Sequence, residues 1–557
     1  MSIIIKQLSS LEKIYSPADL GGREINDVKI LHGEHFSYQV AVYHEGGNID
    51  NRSLLEISVD SPLADFVKVY SVKNVVADFP HPEVQDTDYT LHTPCLVPDL
   101  LVPMENQKWN ASLVNALAVF WVEVCVDDPK FVGKTQIKLN IKGTRLETAD
   151  RIPSVKYEES AVMNIEILPE TLPEQKTKFT QWFHIDCIAD AHGEEIYSER
   201  HWKLIDNYMK MASDLGINMI LTPVFTPPLD TLPGTSRPCT QLVKISKEND
   251  EYTFDFSLLK KYIALCKKNK MKYYEISHFF SQWGCRFAPN IEVYEDGEKK
   301  LLFGWHVPAD DPSYKEFLEC FIPELLKIFK EEQILENCYF HISDEPSESH
   351  LKHYEYASSL IKPLLGDCNI MDALSHIEFY EKGLVSNPVC CNDYIEPFIE
   401  NNVKNVWAYY CCAQREKVSN RFMSMPSYRN RITGLQLYKY GIEGFLHWGY
   451  NFYYSQYSIY EINPFINSSS DGIFSSGDAF SVYPGKNGPL PSLRALVFRE
   501  GLEDIRLCSL LEKKIGKEAV VKLIEDVAGM ELTFKEYPRN ASFLIDLTAK
   551  IKDMLSE

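Results

Sequence analysis

Residues 338–365 read CYFHISDEPSESHLKHYEYASSLIKPLL. The first six are apolar or small apart from His341, and they run into two adjacent acids, Asp344 and Glu345, followed by Pro346. A short apolar run bounded by turn residues reads as a buried strand, and residues 348–365 read as the helix after it. The same alternation recurs on both sides. Strands are predicted at 179–186, 218–222, 273–278, 338–343, 370–374, 388–391, 405–411 and 444–449. Helices are predicted at 195–215, from 257, and at 314–330, 348–365, 428–440 and 493–511. A hairpin insertion is expected near 241–256 and a long loop at 279–311. Parallel strands joined by helical crossovers are the mark of α/β folds, and eight units within about 340 residues predict a (β/α)8 barrel with insertions.

Upstream the period changes to two. Ile137, Leu139 and Ile141 alternate with Lys138, Asn140 and Lys142, and Phe36, Tyr38, Val40 and Val42 are spaced alike. Residues 118–126, AVFWVEVCV, read as a longer apolar strand. Turn residues separate these runs, so residues 1–165 are predicted to form an antiparallel β-sandwich. Residues 166–177, EILPETLPEQKT, with two prolines and several charges, read as a linker. Residues 178–557 are assigned to the barrel with short closing helices after 511. The fold class is therefore multidomain, a β-sandwich followed by a TIM-like barrel.

Composition narrows the function. The 557 residues carry 57 Lys+Arg against 79 Asp+Glu, a net charge of −22. That balance argues against nucleic acid or an anionic membrane surface as partner, since both need a basic face. Residues 3–5 are the only apolar run near the start, which is short for a signal peptide, and no stretch is long enough to span a bilayer. The 14 cysteines include two vicinal pairs, Cys390-Cys391 and Cys411-Cys412, and no CxxC. Reduced thiols in a cytoplasmic protein are the expectation, with a chain trimmed of a leader left open.

In a barrel of this kind the site lies at the carboxyl ends of the strands. Asp186, His278, Asp344-Glu345, Asp372, Tyr409, Tyr410, His447, Trp448 and Asn451 fall there, with Trp283 and Trp305 on the long loop. Carboxylates, aromatics and neutral polar groups suit a sugar, whose ring face stacks on aromatics while its hydroxyls find polar partners. Two adjacent carboxylates can raise one another's pKa, as a general acid requires. The competing reading of Asp344-Glu345-Pro346 is a helix N-terminus, where acids and proline are also favoured. A second feature spans Gly477-Asp478, Tyr483-Pro484-Gly485, Ser492-Leu493-Arg494 and Arg499-Glu500-Gly501-Leu502-Glu503-Asp504. Ser492 reads there as a helix cap and Arg499 with Glu503 as an i, i+4 pair.

Together the two features resemble glycoside hydrolase family 123, the β-N-acetylgalactosaminidases, and its clostridial member in particular. The likeness covers nearly the whole chain. It implies an exo-acting retaining hydrolase that removes terminal β-linked N-acetylgalactosamine from oligosaccharides, glycosphingolipid-type glycans among them, with no cofactor and no metal. The nucleophile would be the substrate's own 2-acetamido oxygen, through an oxazolinium intermediate. Glu345 would be the general acid and base, and Asp344 would orient the acetamido group. Expected substrate-binding residues are Trp448 as stacking platform, Tyr409 on the acetamido oxygen, and Asn451, His278, Trp305, Asp478 and Arg494. Three other readings stay open: a two-carboxylate glycosidase using Glu275, Asp372 or Asp478 as nucleophile, a metal hydrolase using His184, His278, His341, Asp372 and His376, and a carbohydrate-binding protein without catalysis.

Overall fold

The computed structural model describes residues 3–44, 53–80, 86–104, 111–112, 117–145 and 155–557. By packing, the chain divides into two units. One comprises residues 1–175, 419–439 and 490–557, and the other 176–418 and 440–489. The sequence reading assigned 419–439 and 490–557 to the barrel domain, whereas their contacts group them with the N-terminal residues.

The first unit holds two five-stranded sheets. One runs in the order Ile3–Ser9, His35–His44, Leu117–Cys125, Val67–Ala77, Cys95–Pro103, and the other in the order Asp27–His32, Val155–Thr171, Gly133–Arg145, Ser53–Asp60, Ala111–Ser112. Period-two burial carries the core: Ile137, Leu139 and Ile141 are wholly buried against Tyr38, Val40 and Val42. Pairing is antiparallel except that Asp27–His32 runs parallel to Val155–Thr171. The expected linker is a correction. Residues 166–171 continue the strand Val155–Thr171, leaving only 172–177 as the connection. Pro169 is tolerated because it falls beyond Ile167, where pairing with Gly133–Arg145 has ended and the register against Asp27–His32 shifts.

The Arg-Glu-Gly-Leu-Glu-Asp segment is a buried charged spine of this unit. It lies in the helix Leu493–Ile515. Arg499 pairs with Glu123, Glu503 Oε1 lies 2.7 Å from His35 Nδ1, and Arg431 bridges Glu500 and Asp504 at 2.8 Å each. Gly434 and Gly501 serve the crossing of the helices Ser427–Tyr440 and Leu493–Ile515, since a Cβ on Gly434 would sit 1.9 Å from the Gly501 carbonyl oxygen and one on Gly501 would sit 2.7 Å from that of Arg431. Overpacking ordinarily costs about 1–3 kcal/mol, and contact with rigid backbone puts this site at the upper end. Gly434→Ala is expected to lower the melting temperature by several degrees, measured by differential scanning calorimetry.

The second unit is a closed barrel of eight parallel strands: Lys178–Gln181, Met219–Thr222, Tyr273–Ile276, Cys338–Phe340, Asn369–Leu374, Asn387–Cys391, Trp407–Tyr409 and Gly444–His447. All eight predicted strands are present. Each is short and almost entirely buried, because helices cover one face and side chains fill the other. The predicted long loop at 279–311 contains a hairpin, Ile291–Glu295 with Glu298–Phe303, which joins Lys244–Glu248 and Glu251–Asp255 in a four-stranded sheet. Its turn, Asp296-Gly297, has positive φ at both residues, the geometry an Asp-Gly hairpin adopts. No helix among the described residues is long and apolar enough to cross a membrane.

Candidate active site

The fourth barrel strand ends at Phe340, and the next residues are fixed from below before they reach the site. His341 is fully buried and donates from Nε2 to Glu275 Oε1 at 2.7 Å and from Nδ1 to Asp372 Oδ1 at 2.9 Å. Burial alone would push His341 down, but these two acidic partners outweigh it and hold the imidazolium up to about 10. Glu275 also accepts from Thr180 Oγ1 at 2.5 Å and from Trp182 Nε1 at 2.6 Å. Asp372 Oδ2 accepts the backbone N–H groups of Ile342 and Ser343 at 3.2 and 3.4 Å, and the Tyr354 hydroxyl. A buried ion network in which every carboxylate oxygen accepts a hydrogen bond holds one geometry, and here it anchors the backbone that delivers Asp344 and Glu345.

Those two residues turn into a pocket at the barrel mouth. Asp344 is 3% exposed, and its Oδ2 accepts from Gln282 Nε2 at 2.5 Å. Glu345 Oε1 accepts from Tyr409 Oη at 2.8 Å, and Trp283 also donates to this carboxylate. Glu345 has φ of +45°, left-handed for a residue with a side chain. Asp230 and Trp283, which line the same pocket, have φ of +46° and +55°. Such backbone costs about 1–3 kcal/mol per residue and persists where surroundings impose it, commonly at functional sites. Burial raises the pKa of Asp344 well above the usual carboxylate range, and the neighbouring Glu345 charge raises it further. Burial raises Glu345 too, opposed by the Tyr409 and Trp283 hydrogen bonds.

The pocket has a volume of about 120 Å3. Trp182, Trp283 and Trp448 line it with Tyr409, and Phe452 and Phe474 complete the aromatic wall. Trp448 is held rigidly: its Nε1 donates to Asp478 Oδ2 at 3.0 Å, and Phe452 and Phe474 pack edge-on at 5.1 and 4.9 Å. Behind it, Arg237 makes two bonds to Asp186 at 2.6 and 2.7 Å and one to His184 Nδ1 at 2.9 Å, while His184 Nε2 donates to the Trp448 carbonyl at 2.9 Å. Burial, then the Arg237 charge, pushes His184 down to about 3, so it stays neutral. A larger cavity of about 850 Å3 lies in the first unit. Its buried charges, Arg431, Glu500, Glu503, Asp504 and Lys552, are already paired with one another or with His35 and Glu34, so it offers no free chemistry of that kind.

Of the residues expected at the site, Asp344, Glu345, Tyr409 and Trp448 come together in the pocket. The other five do not line it. Asp478 is fully buried beneath Trp448, with His447 Nε2 at 3.3 Å. Asn451 clamps the backbone of His184, donating to its carbonyl and accepting from its N–H at 2.9 Å each. His278 is buried and stacks on His341 with centroids 4.2 Å apart. Trp305 packs against Phe287 beside a separate small cavity. Arg494 belongs to the first unit and is bonded to Asp99 at 2.9 and 3.0 Å. Tyr409 donates to Glu345, where the acetamido oxygen was its expected partner. Pocket residues that sequence reasoning passed over include Asp230, Gln282, Leu229 and Phe474, which lie on loops without periodicity. Asp230 is pushed up by burial to about 6. Among metal-capable groups, His278, His341 and Asp372 approach within 4.8 Å of one another. With both ring nitrogens protonated, His341 has no lone pair to offer a metal.

The catalytic-domain model of glycoside hydrolase family 123 matches residues 182–511, more than half of the chain and the whole of this pocket. The chain belongs to glycoside hydrolase family 123. A family 123 glycoside hydrolase from Clostridium perfringens, whose structure was described for glycolipid glycan hydrolysis, superposes over 100% of this chain and 98% of its own with a TM-score of 0.70 at 15% identity. Two fimbrial proteins align only in part. The AggA major subunit of aggregative adherence fimbriae from Escherichia coli covers 30% of this chain and 94% of its own at 9% identity, TM-score 0.17, and the BcpA major pilin subunit of Bacillus cereus covers 29% and 40% at 13% identity, TM-score 0.16. Those scores carry no argument. None of the curated proteins compared matches the sequence.

His341 and Asp372 yield a prediction of their own. Asp372→Asn removes the charge that binds the Ile342 and Ser343 amides and one partner of the imidazolium. Loss of one member of such a buried network costs about 3–5 kcal/mol. The expected outcome is a lower melting temperature together with a drop in kcat larger than any change in KM, read from thermal unfolding and steady-state kinetics.

Proposed function

We propose that this family 123 hydrolase is a retaining exo-β-N-acetylgalactosaminidase. It releases terminal non-reducing β-linked N-acetylgalactosamine from oligosaccharides, including glycosphingolipid-type glycans, by substrate-assisted catalysis. The observation that carries the reading is the pair of adjacent carboxyls, both raised by burial, in one small aromatic pocket. A volume of about 120 Å3 is small beside the roughly 300–1,000 Å3 of drug-sized ligand sites, which supports a single terminal sugar. The galacto preference and the glycolipid-type substrate rest on the family and on the Clostridium perfringens relative. All fourteen cysteines are unbridged, which supports a reducing compartment, the cytoplasm.

In the first step Glu345 gives its proton to the glycosidic oxygen as the C1–O bond breaks. The acetamido carbonyl oxygen attacks C1 and closes an oxazolinium ring. Asp344 accepts the amide N–H and balances the positive charge on that ring. The amide N–H favours the ionised form of Asp344, and that charge in turn favours the protonated form of Glu345, the form the acid must have. Glu345 then removes a proton from water, which attacks C1 and reopens the ring with net retention. The nucleophile is tethered to the reacting sugar, so attack needs no further entropy loss. Tyr409 and Trp283 orient Glu345, and Trp448 is the stacking face.

Of the nucleophiles a two-carboxylate mechanism had available, Glu275 and Asp372 are bonded to His341 below the pocket, and Asp478 is bonded to Trp448. Asp230 does line the pocket, so that second reading now rests on it. A panel of p-nitrophenyl β-glycosides tests the proposal. Turnover is expected with N-acetylgalactosamine and little or none with galactose. A galactoside turned over at a comparable rate, or a 2-fluoro sugar trapped on Asp230, overturns it.

A further inference from the structure

The two vicinal cysteine pairs sit in opposite contexts. Cys390 and Cys391 lie on the strand Asn387–Cys391, where successive side chains point to opposite faces. Cys391 Sγ meets Ser375 Oγ at 3.0 Å, while Cys390 Sγ turns toward the Pro388 carbonyl at 3.9 Å, and both residues are buried. Cys411 and Cys412 come after the strand Trp407–Tyr409, where the chain enters a turn at 412–413. Gln414 N–H donates to the Cys411 carbonyl at 3.3 Å, and Gln414 Oε1 accepts from the Cys411 N–H at 2.9 Å and from its thiol at 3.3 Å. Arg415 Nε fixes the Cys412 carbonyl at 2.7 Å. The two neighbouring side chains are close enough to interact electrostatically. Both residues are half-buried, and both line the pocket that holds Asp344 and Glu345.

We propose that Cys411 and Cys412 form a dithiol modification site on the wall of the sugar pocket, one that takes up trivalent organoarsenicals as a bidentate adduct. With an arylarsine oxide the two S–H bonds and the As=O bond break and two As–S bonds form. The oxygen leaves as water with both thiol protons, and arsenic stays trivalent, so no oxidant or reductant enters. Two thiols held side by side convert the second bond into an intramolecular step, which is why a pair retains what a lone thiol releases. The interaction with the Cys412 side chain, and then burial, keep Cys411 as a neutral thiol well above its ordinary range. The aryl group of the adduct would occupy sugar space beside Glu345. That blocking effect rests on the glycosidase reading, whereas adduct formation does not.

The test uses the full chain and phenylarsine oxide. Intact-mass spectrometry is expected to find one arsenical per chain after washing with a monothiol, and peptide mapping to place it on residues 411–412. The dithiol 2,3-dimercaptopropanol is expected to remove it. Cys411→Ser and Cys412→Ser should each lose the stable adduct, while Cys390→Ser keeps it. Turnover, read as treated over untreated for each protein, should fall by most of its value in the parent and hold in Cys412→Ser. No stable adduct, an adduct mapped to another cysteine, or a 411–412 adduct with undiminished turnover overturns the proposal. If the untreated parent has no hydrolase activity and the adduct still forms on 411–412, the glycosidase reading fails and the dithiol site stands.

Discussion

Glu345→Gln is expected to lower kcat on β-linked N-acetylgalactosaminides by about 10²–10⁴-fold, the span a positioned general acid–base group contributes. The amide keeps the shape of the carboxyl and still accepts from Tyr409, so the pocket and the fold should be retained. The loss should be steepest for natural alcohols as leaving groups, which need protonation, and shallower for p-nitrophenolate, which does not. Stopped assays with both substrate types on the same preparation measure this. Equal losses on the two would mean that Glu345 is not delivering the proton.

Asp344→Asn is expected to cost about 10²–10³-fold in kcat, the effect of removing one group that stabilises developing charge. Its stability should move the other way. Burial and the Glu345 charge hold the folded pKa of Asp344 above its unfolded value near about 4. A raised carboxyl pKa contributes stability that is fully present below the unfolded value and lost as pH rises through the folded one. The asparagine has no charge to bury, so the variant should melt higher than the parent at pH 7–8, with the difference shrinking toward pH 4. Calorimetry across that range reads it. A parent no less stable at pH 8 than the variant would contradict the strained acidic pair.

The barrel was legible because strands buried on both faces leave short apolar runs, and helices between them impose a different period. The strand-end position of Asp344 and Glu345 was legible for the same reason. Sequence placement could not tell which way a side chain points once the strand ends. His278 and Asn451 fall at the right height but turn inward, His278 onto His341 and Asn451 onto the His184 backbone. Asp230 and Gln282 lie on loops whose left-handed residues and cross-loop bonds have no periodic signature. Arg494 illustrates a further gap. Its helix begins after the eighth barrel strand, yet its guanidinium is committed to Asp99 of the first unit, hundreds of residues earlier in sequence. The hairpin Ile291–Glu295 with Glu298–Phe303 did carry a readable sign, Asp296-Gly297 directly after the alternating run Ile291–Glu295.

The central claim is that the sugar's amide oxygen attacks C1 while Asp344 and Glu345 attend it. It is tested most directly with p-nitrophenyl 2-acylamido-2-deoxy-β-galactosides whose acyl group carries none, one, two or three fluorines. Fluorine withdraws electrons from the carbonyl oxygen without abolishing binding shape. If that oxygen is the nucleophile, log kcat falls steadily along the series. A flat series would place the nucleophile on the protein and contradict the account.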